Sequence, residues 1–144
     1  MLGGLIMDFG GVLTDPGDGD GDSGDSGGDG DRAECPLVTA VAFARRHGLR
    51  TALLSNTDGL ESTTDTTLFD AVILSGEVGF GKPDVRIYLL AAKRIGLPPE
   101  QCVFVDDIAS NVHGAVRAGM VGVHHHDVAA TLAELTALFG LDFH

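Results

Sequence analysis

Short apolar runs alternate with longer amphipathic stretches along the whole chain. The apolar runs are residues 3–7, 50–54, 71–74, 102–105 and 120–124. The stretches with apolar residues at helical spacing are 37–47, 84–95, 108–119 and 127–139. Strands buried on both faces read as near-continuous apolar runs, because helices cover both sides of the sheet. The alternation therefore predicts an α/β fold with a Rossmann-like parallel five-stranded sheet and helices on both faces.

Proline, glycine and aspartate mark the ends of the predicted helices. Pro36 precedes the first helix and Gly48 follows it, while Pro83 and Gly96 bound the second. Asp127 stands where the cap of the last helix is expected. Since the pattern contains no repeat and its 144 residues fit one core, we expect a single domain over 1–144.

One segment departs from this pattern. Residues 15–31 consist of seven Asp, seven Gly, two Ser and one Pro. Such a composition cannot bury apolar surface, so a Gly/Asp-rich loop is expected over residues 15–34. Without these seven negative charges the formal net charge of the chain would be −5 instead of −12. Neither part of the chain has the basic patch that nucleic acid requires, which argues against nucleic-acid binding.

The same segment invites comparison with a calcium-binding loop. Asp18, Asp20 and Asp22 have the spacing of an EF-hand, but Ser23 stands where that motif needs glycine. No amphipathic helices flank the segment, so a solvated loop is favoured, with weak cation binding left open.

Cysteine usage and hydropathy limit the remaining classes. Cys35 and Cys102 are far apart and form no C-x-x-C pair, which gives neither a zinc site nor a disulfide framework. The apolar N-terminal stretch lacks a basic region and is interrupted by Asp8, so we expect neither a signal peptide nor a membrane span. A soluble, cytoplasmic protein with no membrane partner is the expectation.

Polar side chains stand where predicted strands end. Asp8 follows the first strand, Ser55 the second, and Asp106 and Asp107 the fourth, while Lys82 precedes a helix. Ligands bind at the carboxyl ends of the strands in an open α/β sheet. These side chains converge if the strand order is 5-4-1-2-3, which is therefore predicted.

This cluster has a definite chemistry. Three carboxylates repel one another unless a cation lies among them, which predicts bound Mg²⁺. A carboxylate that faces the substrate can attack phosphorus and form an acyl phosphate. Ser55 can then donate to a phosphoryl oxygen, and Lys82 can neutralise phosphoryl charge. Each residue alone is more often a turn or surface residue; the conjunction is what favours a site.

Four segments together resemble the motifs of the haloacid dehalogenase superfamily. They are LIMDFGGVL at residues 5–13, LLSNT at 53–57, GKPD at 81–84 and VFVDDIASNVHGAVRAGM at 103–120. The resemblance runs over residues 1–126, apart from the acidic segment, and is closest to the branch of small-molecule phosphatases and L-2-haloacid dehalogenases.

The resemblance implies a role for each matching residue. Asp8 would be the nucleophile, Ser55 and Asn56 would contact the phosphoryl group, and Lys82 would stabilise it. Magnesium would be held by Asp8, the Gly10 carbonyl, Asp106 and Asp107, and Asn111 would support the acidic pair or its loop. The implied function is a magnesium-dependent phosphatase acting on a phosphorylated small molecule or a bulky phosphate ester.

Two departures from the family pattern bear on activity. Gly10 stands where these phosphatases carry the Asp that transfers protons, a role worth about 10²–10⁴ in rate. Asp8 and Ser55 are also too close in sequence for the usual helical cap, so the acidic segment replaces it in our prediction. An open site then follows, which a bulky substrate or an oligomeric partner would cover.

Other functions compete with the phosphatase. A receiver domain has its acidic pair early in the chain rather than late, and a dehalogenase needs an enclosed halide pocket. A catalytically impaired magnesium-binding remnant, acting as an interaction module, remains the main alternative because of Gly10 and the missing cap. Consecutive side chains alternate in direction, so His124, His125 and His126 are expected to form a loop rather than a metal site.

Overall fold

Five parallel strands form one sheet in the computed structural model, which describes residues 1–17, 35–60 and 65–143. Their order is β3-β2-β1-β4-β5, which is the predicted arrangement viewed from the opposite edge. The strands are β1 (Gly4–Met7), β2 (Arg50–Ser55), β3 (Ala71–Leu74), β4 (Cys102–Asp106) and β5 (Val121–His124). The EF-hand comparison and most of the acidic segment fall on residues 18–34, which lie outside the described residues.

The helices lie close to their predicted positions. They are α1 (Pro36–Arg46), α2 (Ser75–Val78), α3 (Val85–Arg94), α4 (Ala109–Arg117) and α5 (Val128–Phe139). The four-residue α2 was not predicted, and an irregular turn follows β1 over Phe9–Leu13. Helix α3 begins one residue later than predicted, because the Asp84 side chain accepts from the Arg86 amide and caps it.

Each face of the sheet is covered by a separate pair of helices. Alternate strand residues point to opposite faces, so β1 divides its side chains between two apolar clusters. Leu5 and Met7 pack with α1 and α5 on one face, and Ile6 packs with α3 and α4 on the other. Prediction of helices on both faces is confirmed. In the part of the chain that the structure describes, no helix has the length and apolar character needed to cross a membrane.

Candidate functional site

The register of the sheet aligns the ends of three strands. Met7 of β1 lies opposite Leu53 of β2 and Val105 of β4. The Asp8 amide continues this ladder by donating to the Val105 carbonyl at 3.0 Å. The residues that come next are Leu54 in β2, Asp8 after β1 and Asp106 in β4. These three residues therefore lie side by side. This placement explains why residues so distant in sequence meet at the carboxyl edge.

Lys82 connects these three strand ends. Its ammonium donates to Asp8 Oδ1 at 2.7 Å, Asp106 Oδ2 at 2.8 Å and the Leu54 carbonyl at 3.1 Å. All three ammonium hydrogens thus have partners. The Lys82 side chain is 1% exposed and those of Asp8 and Asp106 are 10% and 0% exposed, so both ion pairs are shielded from water.

Asn56 holds the backbone of Lys82. Its Oδ1 accepts from the Lys82 amide at 2.8 Å, and its Nδ2 donates to the Lys82 carbonyl at 3.0 Å. A β-carbon on Gly81 would come within 2.9 Å of Asn56 Oδ1, so the close approach requires glycine. The peptide bond between Lys82 and Pro83 is cis. The Asn56 amide group is therefore engaged with Lys82, and its predicted contact with a phosphoryl group stays a prediction.

A further layer of contacts fixes Asp106. Its Oδ1 accepts from the Ile108 amide at 2.9 Å, and its Oδ2 also accepts from Asn111 Nδ2 at 3.2 Å. The Asn111 carbonyl in turn accepts from the Tyr88 hydroxyl at 2.6 Å. Asn111 thus contacts the acidic pair directly, in agreement with its proposed supporting position.

Three carboxylates face one another at this edge. Oxygen atoms of Asp8, Asp106 and Asp107 all lie within 4.8 Å of one another, with Asp107 exposed and the other two buried. Hard cations such as Mg²⁺ take carboxylate and carbonyl oxygens, so this donor set fits magnesium. The two carboxylates that pair with Lys82 are also the buried ones, which leaves Asp107 as the exposed acidic group of the cluster.

Two glycines shape the turn beside Asp107. Gly11 has φ of +82°, and a β-carbon there would collide with the Asp107 carboxylate, so both its conformation and its contact require glycine. Gly10 is different. Its φ of −71° and ψ of 133° suit any residue, and no atom lies within 4 Å of a β-carbon built there. The structure therefore has room for the family's aspartate at position 10.

Burial controls the charge of Asp8. Loss of water around the carboxylate raises its pKa, and the nearby Asp106 carboxylate adds to this increase. The Lys82 ammonium and a hydrogen bond from the Phe9 amide lower the pKa but do not cancel the effect of burial. A cation at the cluster would favour the ionised form that a nucleophile needs.

Ser55 lies at the end of β2 on the face covered by α1 and α5. Leu53, two residues earlier, packs in the apolar cluster of that face, and alternate side chains of a strand share a face. Ser55 is buried, with 8% of its surface exposed. Its hydroxyl has no hydrogen-bond partner among the described residues, so it is free to donate to a ligand.

The three histidines differ from one another: His124 is the last residue of β5, whereas His125 and His126 lie in the loop predicted for them. His124 belongs to β5, and its Nε2 lies 3.1 Å from the Asp107 carbonyl. His125 is buried: its Nε2 lies 2.6 Å from Asp15 Oδ2 and its Nδ1 2.7 Å from Thr131 Oγ1. The alternation along an extended backbone separates their directions, as expected. His125 thereby ties the start of the acidic segment to α5.

Comparison with known proteins settles the family. A family model described as haloacid dehalogenase-like hydrolase matches residues 36–119. The chain belongs to the haloacid dehalogenase-like hydrolases. An uncharacterized protein from Corynebacterium glutamicum, of known structure, is 35% identical to this chain, with a TM-score of 0.77. The match covers 98% of this chain and 97% of that one.

Two further proteins place this haloacid dehalogenase-like hydrolase among its relatives. A predicted HAD-like family hydrolase from Porphyromonas gingivalis shares the fold, with 20% identity, a TM-score of 0.71 and coverage of 96% and 98% of the two chains. Phosphatase MT3486 from Mycobacterium tuberculosis is 39% identical over 88 residues, which are 56% of this chain and 41% of that protein. The chain spans less than half the length of the curated relatives it matches, and only 11% of mouse acyl-CoA dehydrogenase family member 10.

The motifs found most of this site but not all of it. Asp8, Lys82, Asp106 and Asp107 lie together, as predicted, and Ser55 ends a strand at the same edge. Sequence reasoning missed the bond between Asn56 and the Lys82 backbone and the buried contacts of His125. The Gly10–Gly11 pair could have indicated the turn after β1, because a glycine often marks a left-handed backbone position. In the structure Gly11 has that conformation and Gly10 does not.

Proposed function

We propose that this chain is a magnesium-dependent phosphatase that hydrolyses phosphate monoesters through an aspartyl-phosphate on Asp8. One observation carries the proposal: Lys82 holds Asp8 Oδ1 at 2.7 Å inside a cluster of three carboxylates at the carboxyl edge of the sheet. A buried carboxylate beside a fixed ammonium and a cation site is suited to attack on a phosphoryl group.

Magnesium would be held by Asp8, Asp107 and the Gly10 carbonyl, with Asp106 completing the acidic cluster. When bound, the ion would neutralise charge on the phosphoryl oxygens and on Asp8 itself. Asp106 already accepts three hydrogen bonds, from Lys82, Ile108 and Asn111. We therefore assign Asp106 mainly to holding Lys82 in place and Asp107 to the ion.

In the first step an Asp8 carboxylate oxygen attacks phosphorus. The new bond between that oxygen and phosphorus forms as the bond from phosphorus to the ester oxygen breaks, and the ester oxygen leaves with the electron pair and takes up a proton from water. Ser55 would donate its free hydroxyl to a phosphoryl oxygen. Lys82 fixes the orientation of Asp8 and offsets the charge that accumulates in the transition state.

In the second step water attacks phosphorus, releases inorganic phosphate and restores the Asp8 carboxylate. The family's aspartate would take the proton of this water, but Gly10 cannot. A second water molecule would relay the proton instead, since the space beside Gly10 is open. Slow turnover is the expected consequence.

Relatives of known function support a phosphatase. Besides the mycobacterial phosphatase, a phosphoserine phosphatase from Thermus thermophilus and a sesquiterpene phosphatase from Aspergillus oryzae are 39% and 41% identical over 92 and 73 residues. An enzyme of the family from Bacteroides thetaiotaomicron, which shares the fold with a TM-score of 0.52, was solved with magnesium and inorganic phosphate.

Hydrolysis of p-nitrophenyl phosphate and acetyl phosphate, with and without Mg²⁺, tests the proposal. We expect Asp8→Asn to lower kcat by at least ~10³-fold while the protein remains folded at the assay temperature, because the amide cannot form the acyl phosphate. Asp127→Asn is the matched control: Asp127 is exposed and caps α5, and asparagine caps helices equally well. Wild-type turnover by Asp8→Asn would refute the nucleophile assignment.

Gly10 favours a second candidate, a catalytically impaired magnesium-binding remnant that acts as an interaction module. The same experiments separate the two functions. Magnesium would raise Tm in both cases through binding to the folded state. Only the phosphatase would also release inorganic phosphate in a reaction that depends on Asp8.

A further inference from the structure

An apolar pocket whose lining includes Phe9, the residue after Asp8, takes no part in the chemistry described above. Its volume is about 130 Å³. The described residues that line it are Phe9, Leu13, Val38, Asp65, Leu68 and Phe69. Five of these six are apolar, and they come from the turn after β1, the first turn of α1 and the segment before β3.

The pocket begins one residue away from Asp8. Phe9 follows Asp8 directly, so their Cα atoms are about 3.8 Å apart. Phe9, Leu13 and Val38 all pack with the apolar cluster of the α1 and α5 face. Ser55 ends β2 on this same face, as the position of Leu53 shows. The proposed phosphoryl contact and the pocket thus lie on one side of the sheet.

The walls of the pocket are apolar and incompletely covered. Phe9, Val38, Leu68 and Phe69 are all only partly buried, so they present apolar surface that folding has not removed from water. The polar member, Asp65, is engaged elsewhere: its Oδ1 accepts from the Thr67 amide at 3.0 Å and the Thr67 hydroxyl at 2.6 Å. A ligand group in this pocket would therefore meet mostly carbon atoms, with the Asp65 carboxylate as the charged group among the described lining residues.

We infer that the pocket binds the apolar carbon skeleton of the alcohol in the phosphate ester. This inference rests on the proposed phosphatase function and specifies its substrate class. An apolar cavity of about 150 Å³ holds benzene, so a volume of about 130 Å³ suits a ring or branched chain of about five or six carbons. Phosphate esters of apolar alcohols are then preferred over those of sugars or polyols, whose hydroxyl groups would lose their hydrogen bonds to water.

The pocket makes rate depend on the length of the alcohol. Each methylene removed from water is expected to raise kcat/KM about threefold to fourfold, until the pocket is full. The rise should run from ethyl to hexyl phosphate and then level off. Glycerol phosphate, which has a polar skeleton of similar size to the shorter esters, should be a poorer substrate than butyl phosphate.

Val38→Phe tests the inference by filling the pocket. Val121→Phe is the matched control, because Val121 is also partly buried and packs against the same apolar cluster, but lies in β5 at the far edge of the sheet. We expect Val38→Phe to remove the dependence on chain length and Val121→Phe to retain it. Both variants are compared by Tm, so that a loss of folding is recognised.

Binding of alkylphosphonates, followed by NMR, gives a second measurement that needs no turnover. In wild type and Val121→Phe the Kd should fall about threefold to fourfold per methylene, and in Val38→Phe it should not. Equal chain-length dependence in Val38→Phe and wild type, or none in wild type, would overturn the inference. If acetyl phosphate is hydrolysed while chain length has no effect, the phosphatase function stands and the pocket assignment fails. If no ester is hydrolysed but the phosphonate series behaves as expected, the pocket stands and the phosphatase proposal fails.

Discussion

The two faces of the sheet differ in how completely their polar groups are hydrogen-bonded and their apolar groups are covered. On the α3 and α4 side, Lys82, Asp106 and Asn111 form a closed set of buried hydrogen bonds in which each side chain has its partners. On the α1 and α5 side, the Ser55 hydroxyl has no partner among the described residues, and an apolar pocket remains open. One face holds the reactive groups still, while the other has surface left for a ligand.

This difference separates two requirements of catalysis. Preorganised charges stabilise a transition state because they do not have to reorient during the reaction, and a buried network provides that rigidity. Substrate selection instead needs surface that is exposed until the substrate arrives. In this chain the two requirements are met by residues of opposite faces that meet at Asp8, so changes on each face should have separable effects.

Lys82→Met, which opens the closed network, is expected to have the largest effect on stability. Loss of the ammonium leaves Asp8 and Asp106 buried without a cation, and breaking a buried ion pair costs about 3–5 kcal/mol of unfolding free energy. The rate should fall by at least ~10²–10³-fold. Urea denaturation and kcat with acetyl phosphate measure the two effects.

Lys93→Met is the control for this change, because Lys93 is an exposed lysine of α3. In EDTA, the stability lost in Lys82→Met should be larger at pH 8 than at pH 5. The reason is that burial raises the pKa of Asp8, so the folded variant binds protons that the unfolded chain has released, and its stability falls as pH rises. A variant as stable as wild type at both pH values would show that the Lys82 ion pairs do not stabilise the fold.

The next effect concerns the missing proton-transfer group. Gly10→Asp should raise kcat by up to about 10²-fold, since general acid–base catalysis is typically worth at least that much and the position has room for a side chain. Gly10→Asn has nearly the same shape but cannot exchange a proton in this way, so it serves as the control. An equal increase in both variants would indicate a packing effect, and no increase in either would favour the remnant over the phosphatase.

The α3 and α4 face, with its closed network of hydrogen bonds, was easier to predict from sequence than the α1 and α5 face with its open pocket. Asp8 and the Asp106–Asp107 pair follow strands whose apolar runs are unambiguous, and their convergence with Ser55 required the observed strand order. Their chemistry also restricts the alternatives, because three carboxylates and a lysine have few stable arrangements.

Contacts between distant segments could not be predicted in this way. Asn56 and Lys82 are separated by 26 residues, and no local pattern shows that their side chain and backbone will meet. His125 bonds to Asp15 across 110 residues, and only the packing of β5 beside β4 determines which of three consecutive histidines is buried. The pocket is likewise built from three segments, so its volume depends on packing that composition does not determine.

Magnesium binding tests whether Asp107, the exposed carboxylate of the cluster, is a ligand of the ion. Asp107→Asn should raise the magnesium concentration needed for half-maximal activity by at least ~10-fold, since even groups that only support a metal ligand are worth 10–100-fold in affinity. Asp127→Asn again provides an exposed aspartate outside the cluster. An unchanged magnesium requirement would remove Asp107 from the proposed ion site, whereas the Lys82 network would be unaffected.

The smallest effect is expected from the charges of the acidic segment, residues 15–31. Asp15 is held by His125, and the His125 amide donates to the Asp106 carbonyl at 2.8 Å, so the segment starts close to the strand ends that carry the site. Six further aspartates follow within residues 18–31. Their charges should repel phosphate anions over a Debye length of about 8 Å at physiological salt and about 30 Å at 0.01 M.

Replacing the six aspartates by serine should therefore lower KM for butyl phosphate by about twofold to threefold at 0.01 M salt and by less at 0.15 M, with kcat unchanged. Replacement of the six by glutamate preserves the charge and should leave KM as in wild type. If serine lowered KM equally at both salt concentrations, the segment would act by obstructing the substrate rather than by its charge, and an unchanged KM would place it away from the path to Asp8.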